Sequence, residues 1–144
     1  MRGAGMSAPL LEVLLAAEHA VVYGYGVLGA RLAEEPRRLA LLAYDSHRSR
    51  RDQLTALLRE AGADPEPSEP AYDVAVASAD AALELAVQLE EELAVRWRDL
   101  VAGTDERPLR SLAVAGLTEC AVRAAQWRRE AGTSPLTTAF PGTT

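Results

Sequence analysis

The chain has 144 residues, 49% of them apolar, 25% charged and 5% aromatic, with a formal net charge of −6. That length suits one domain with a core of its own, in a composition ordinary for a globular protein. All 15 basic residues are Arg and the balance is acidic, which argues against nucleic acid as a partner, because phosphate binding needs a concentrated basic face.

The single cysteine, Cys120, excludes an internal disulfide framework and fits a reducing compartment, so a cytoplasmic location is expected. No stretch reaches the roughly 18 continuous apolar residues of a membrane span, and no membrane partner is expected. Residues 1–8 hold one Arg and no separate apolar run with a cleavage site; the first apolar run carries Glu18 and His19, so no signal peptide is expected.

Ala and Leu dominate and β-branched residues are fewer, which favours packed helices over strands. The first helix is predicted over about 9–34, with Ser7 as N-cap and Pro9 in its first turn. The second is predicted over about 36–61, starting at Pro36 and ending before Gly62, a good residue just past a helix end. The following segment, about 63–78, cannot be helical at its start, since three prolines crowd residues 64–70. Tyr72, Val74 and Val76 then alternate with Asp73, Ala75 and Ala77, the period-two pattern of extended chain on an apolar surface. Ser78 as N-cap and Asp80 in the first turn start a third helix over about 79–103. A fourth is predicted over about 108–131, from Pro108 to just before Gly132. The tail, 133–144, is rich in threonine, proline and glycine and is expected to be extended and partly ordered at best.

The link between the second and third helices spans about 45 Å when extended. A helix of about 25 residues is only about 38 Å long, so the link can run the length of the bundle. The third helix can then lie parallel to the second. The expected fold is all-α, a four-helix bundle with one extended crossover, which is the topology of ferritin-like bundles. It occupies 1–132 as one domain.

Each helix carries an apolar stripe with a polar residue at its centre. In the first it is Leu11, Leu14, Glu18, Val21, Tyr25, Leu28 and Leu32. In the second it is Ala40, Ala43, His47, Arg50, Leu54 and Leu57, and in the third Leu83, Ala86, Glu90, Leu93, Trp97 and Leu100. The fourth helix admits two stripes: Leu109, Ala113, Gly116, Cys120, Arg123 and Trp127, or Leu112, Gly116, Glu119 and Arg123. Glu18, His47, Glu90 and Glu119 thus stand at similar depth. Buried ionisable groups must be satisfied by each other, by metal or by water. Arg50, Arg51 or Arg123 could pair the carboxylates, because a guanidinium suits a buried pair. A structural network wants Arg inserted, whereas a metal site wants carboxylate in surplus without it.

The remaining polar and aromatic residues have plainer readings. His19 points about 100° away from Glu18 and is expected to be partly exposed. Arg48 and Arg51 are expected to pair with Asp45 and Asp52. Tyr23, Tyr25 and Tyr44 are read as core residues whose hydroxyls reach polar partners. Trp97 and Trp127 are read as packing residues near the bundle ends, and Cys120 as a small buried hydrophobe. Gly24, Gly26 and Gly29 allow close approach by a neighbouring helix or a second subunit, and a homodimer through that face is expected.

Several segments together resemble an uncharacterised actinobacterial ferritin-like family, domain of unknown function 4439. They are Ala17-Glu18-His19-Ala20 with Tyr23-Gly24-Tyr25-Gly26, the run His47-Arg48-Ser49-Arg50-Arg51-Asp52, Trp127-Arg128, and Ala139-Phe140-Pro141-Gly142. The resemblance spans nearly the whole chain and implies no activity. A ferritin-type di-iron centre would map onto Glu18, His47, Glu90 and Glu119. The residue that would bridge the two metals is Tyr44 here, and Val122 stands where a histidine would follow Glu119. Two functions are therefore carried forward. One is a non-catalytic domain that acts through interaction with a protein partner or as a scaffold, with a buried polar network of Glu18, Tyr44, His47, Arg50, Arg51, Glu90 and Arg123, and no cofactor. The other is a mononuclear or degenerate di-iron-type protein or oxidoreductase that binds iron or manganese through Glu18, His47, Glu90 and Glu119.

Overall fold

The computed structural model describes residues 4–143. Four helices appear among them: α1 (Ala4–Gly29), α2 (Glu34–Glu60), α3 (Ala79–Gly103) and α4 (Arg107–Ala131). No strand occurs among the described residues. Part of the leader reading falls on residues 1–3, outside the described residues.

Side-chain neighbours fix the helix directions. Gly26 faces Tyr44 and Gly29 faces Ala40, so α1 and α2 are antiparallel. Gly24 meets Leu89 and Gly103 meets Leu10, so α1 and α3 are also antiparallel. Gly116 lies under the Trp97 ring while Arg123 reaches back to Glu90, which sets α4 antiparallel to α3. It follows that α2 and α3 are parallel, and residues 61–78 carry the chain from one end of the bundle to the other. This crossover runs beside α1 in the same direction: His19 Nε2 lies 3.1 Å from the Glu66 carbonyl, and the Tyr23 and Tyr72 rings are 5.3 Å apart. Val76 is buried, Tyr72 and Val74 are half-buried, and Asp73, Ala75 and Ala77 face outward, as the alternation predicts.

The ends of α3 and α4 fall within a residue of expectation for local reasons. The Ser78 hydroxyl accepts a hydrogen bond from Ala81 N (3.1 Å) and caps α3. Gly132 closes α4 at φ 70°, a conformation that L side chains resist.

Helix α1 departs more. It starts before Ser7, so Ser7 is not its cap; buried inside the helix, its hydroxyl donates to Thr104 Oγ1 at 3.2 Å. Pro9 sits inside the helix, where the cost is one backbone hydrogen bond. At the other end α1 stops at Gly29, and tight turns bond Arg31 N to Leu28 O and Leu32 N to Gly29 O. Leu32 is buried all the same. It extends the apolar stripe from a turn, which is why periodicity alone overran the helix.

By length and composition Ser7–Gly29 could cross a membrane, with mean hydropathy 1.3 over its best window. In the bundle it is a core helix that packs on both α2 and α3. The glycines of α1 serve that packing: a Cβ at Gly24 would come within 2.9 Å of Leu89.

The tail corrects the expectation of loose extended chain. Arg128 Nη1 donates to the Leu136 carbonyl and Arg98 Nη1 to the Gly142 carbonyl, both at 3.0 Å. Gly142 (φ 83°) is pressed so closely on α3 that a Cβ there would lie 2.8 Å from the Ala94 carbonyl oxygen. The tail therefore folds back as a wall beside α3 and α4.

Candidate functional site at the bundle centre

Three stripes converge on a closed polar centre. Glu18, His47 and Glu90 come from α1, α2 and α3, and each is fully buried at 0% exposure. His47 Nδ1 lies 2.8 Å from Glu18 Oε2, and Nε2 lies 2.9 Å from Glu90 Oε1. An ionised carboxylate only accepts hydrogen bonds, so with both carboxylates ionised the imidazole donates from both nitrogens as the charged form. Burial alone would lower the His47 pKa; the hydrogen bonds and charges of Glu18 and Glu90 outweigh it and raise it to about 9.

Glu90 Oε1 is the most heavily used acceptor of the centre. Besides His47 it accepts from Tyr25 Oη at 2.5 Å and from Arg123 Nε at 3.1 Å. The Trp127 indole donates in turn to Tyr25 Oη at 2.8 Å, and the Tyr25 ring stacks on His47 with centroids 5.4 Å apart. Burial works to raise the Glu90 pKa, yet His47, Arg123 and Tyr25 together hold it below the ordinary carboxylate range. Glu18 moves the other way: burial raises it, and the charge of Glu90 adds to that against the pull of His47. The two carboxylates are thus driven apart by their surroundings. Tyr25 is pushed well up by burial and by Glu90, and so stays a neutral donor.

In charge the centre closes on itself, with Glu18 and Glu90 opposed by His47 and Arg123. Two acceptor atoms remain over: among the described residues, Glu18 Oε1 and Glu90 Oε2 are buried without a hydrogen-bond partner. Cys120 lies next to this centre. Its thiol is pushed well above its usual pKa, by burial first and by Glu90 second, which makes it an inert neutral group.

The structure sorts the other residues singled out in the sequence. Helix α4 follows the Cys120 stripe, so Cys120 is buried and Glu119 is turned aside. Glu119 does not join the centre; it forms a two-point pair with Arg50, Nε to Oε2 at 3.2 Å and Nη2 to Oε1 at 2.6 Å. Arg50 is thereby occupied away from Glu18 and Glu90, and its guanidinium lies 5.8 Å from the centre of the Trp97 ring. Arg51 points outward to Asp52 (2.8 Å) and not into the network. Tyr44 is also outside it, half-buried with Arg48 5.5 Å over its ring. Of the three candidate arginines, Arg123 is the one that reaches a buried carboxylate. Trp127 corrects its reading as plain packing, since its indole N–H orders Tyr25. The sequence signal for this was the position of Tyr25 and Trp127 on the same stripes as Glu18 and Cys120.

The centre does not fit the two-metal donor set. Both ring nitrogens of His47 are already engaged by carboxylates, so a metal would have to displace one of them to bind the ring. Arg123 lies against Glu90, and Glu119 and Tyr44 are elsewhere. Among the described residues no three His, Cys, Asp or Glu side chains converge in a geometry that could hold an ion.

Comparison with solved structures finds a crystal structure of a conserved hypothetical protein from Mycobacterium tuberculosis. It is 35% identical, with a TM-score of 0.85 over 96% of this chain and 99% of that one. The comparison with curated proteins finds no match. The model of one family, Domain of unknown function (DUF4439), matches residues 11–144, a span that takes in all three stripes of the centre and the docked tail. The chain belongs to that family.

Proposed function

We propose that this chain is a non-catalytic domain of ferritin-like topology in which the centre is structural. On this reading Glu18, His47, Glu90 and Arg123 set the register of the four helices, and the domain acts by binding other molecules. One observation carries it: both ring nitrogens of His47 lie within hydrogen-bond distance of buried carboxylates, 2.8 Å from Glu18 and 2.9 Å from Glu90. A network of this kind confers specificity more than stability, since a buried pair seldom outperforms well-packed apolar residues. Chemistry at the centre would need a route for substrate to His47 or Glu18, and both are fully covered.

The test is elemental analysis after incubation with Fe(II), Mn(II) or Zn(II), with wild type beside His47→Ala. The expected result is no stoichiometric metal in either protein. Metal at one equivalent in wild type, lost in His47→Ala, would overturn the structural reading in favour of a metal-binding protein or metal-dependent oxidoreductase. One observation favours a narrower alternative: Glu18 Oε1 and Glu90 Oε2 have no partner, and a single cation held by those carboxylates would be retained by His47→Ala.

A further inference from the structure

A cleft with a volume of about 710 Å³ lies between α3, α4 and the folded-back tail. Its walls are mainly apolar, with Ala94, Leu117, Ala121, Ala125 and Leu136 among them. Its size falls in the range of pockets that hold small organic molecules. The tail side is built and not incidental: Arg128 and Arg98 each tie a tail carbonyl to the helices. Glu90 and Cys120 belong to the lining. The cleft therefore backs onto the polar centre at the side chain that carries an unpartnered, buried carboxylate oxygen, Oε2.

We infer that this cleft is a binding site for an uncharged, largely apolar small molecule that donates one hydrogen bond, from a hydroxyl or an N–H, to Glu90. Each part of that description has its cause. The walls select an apolar body. Oε2 selects a donor, because a buried carboxylate oxygen with no partner stronger than a thiol costs free energy that an O–H or N–H donor recovers. The existing balance of two carboxylates against His47 and Arg123 selects a neutral molecule, since an added cation would leave the centre with a net buried charge. Glu90 Oε2 is covered in the free protein, and the Cys120 thiol comes close enough to Glu90 to act as a weak hydrogen-bond donor to it, so a ligand's stronger donor takes the place of the thiol. The charge argument rests on the imidazolium form of His47 in the structural reading, which NMR of the free protein reads independently of any ligand.

Three shape-matched probes test the site in the whole chain: cyclohexanol, methoxycyclohexane and cyclohexylammonium. Each is titrated while the backbone resonances of Ala94, Cys120 and Thr137 and the Cβ resonance of Cys120 are followed. Cyclohexanol is expected to give saturable shifts confined to the cleft, including Cys120 Cβ. The ether and the ammonium are expected to bind at least roughly tenfold more weakly. Ala125→Phe, which fills the cleft, should abolish the shifts; if that variant does not fold, Thr138→Trp on the tail side serves instead. Absence of saturable shifts with every probe would overturn the inference. So would equal binding of alcohol and ether, tighter binding of the ammonium, or shifts that persist in a folded cleft-filling variant.

Discussion

Two acid–base clusters meet α2 within one helical turn of each other, and they sit in opposite surroundings. His47 is held between Glu18 and Glu90 with every side chain at 0% exposure. Three residues on, Arg50 grips Glu119 with two hydrogen bonds, but at 16% and 42% exposure. By distance alone the second pair is as good as the first: 2.6 Å against 2.8 and 2.9 Å. What differs is the alternative open to each group when its partner is lost. Glu119 can turn to water, whereas Glu18 and Glu90 cannot. The value of an ion pair is therefore set by burial more than by bond length.

The largest expected effect comes from breaking the buried cluster. His47→Ala leaves two carboxylates without their shared cation and should cost about 3–5 kcal/mol in chemical denaturation. A loss under about 1 kcal/mol would mean that the centre is no more demanding than the rim.

The next effect is pH dependence. The His47 pKa is raised from 6.5 to about 9, so the folded state holds a proton that the unfolded chain releases. The stability this contributes is complete below about 6.5 and is lost as pH rises through about 9, a fall on the order of 3 kcal/mol. Denaturation midpoints measured across that window should decline more steeply in wild type than in His47→Gln, where the raised Cys120 thiol still contributes a decline at its upper end. Glu90 works on the acid side with the opposite sign. Its pKa is lowered, so its contribution is present above the ordinary carboxylate range and is lost as pH falls through the folded value. Glu18, whose pKa is raised, contributes in the same sense as His47.

Tyr25→Phe should come third. It removes one donor from Glu90 Oε1 and leaves the Trp127 indole N–H without its acceptor. The expected cost is about 2 kcal/mol, with a change in tryptophan fluorescence. The smallest effect belongs to the rim. A double-mutant cycle on Arg50 and Glu119 should return a coupling under about 1 kcal/mol that shrinks with added salt. A coupling as large as the His47→Ala loss would erase the distinction between the two clusters.

The same contrast separates what could be read in the sequence from what could not. Glu18, His47 and Glu90 each interrupt an apolar stripe of their own helix, and that pattern is local, needing no knowledge of neighbours. The crossover was equally local, declared by three prolines and a period-two run. Partner choice was not local. Arg50, Arg51 and Arg123 all lie near mid-helix, and which of them meets Glu90 depends on rotations of α2 and α4 that a 3.6-residue period leaves open. Helix α4 offered two stripes, and the choice fell to the one that buries Cys120 and frees Glu119 for Arg50. Tyr25 and Glu90 are 65 residues apart, and nothing along the chain announces their hydrogen bond. The docked tail escaped notice because it is held by backbone carbonyls that accept from Arg98 and Arg128, and carbonyls carry no sequence signature.

The state of His47 can be read directly by heteronuclear NMR of its ring nitrogens in the metal-free chain, followed from neutral pH upward. The prediction is two protonated ring nitrogens at neutral pH and release of one proton near pH 9. A neutral His47 ring at neutral pH, with one nitrogen carrying a lone pair, would contradict the structural centre and restore His47 as a free ligand or base.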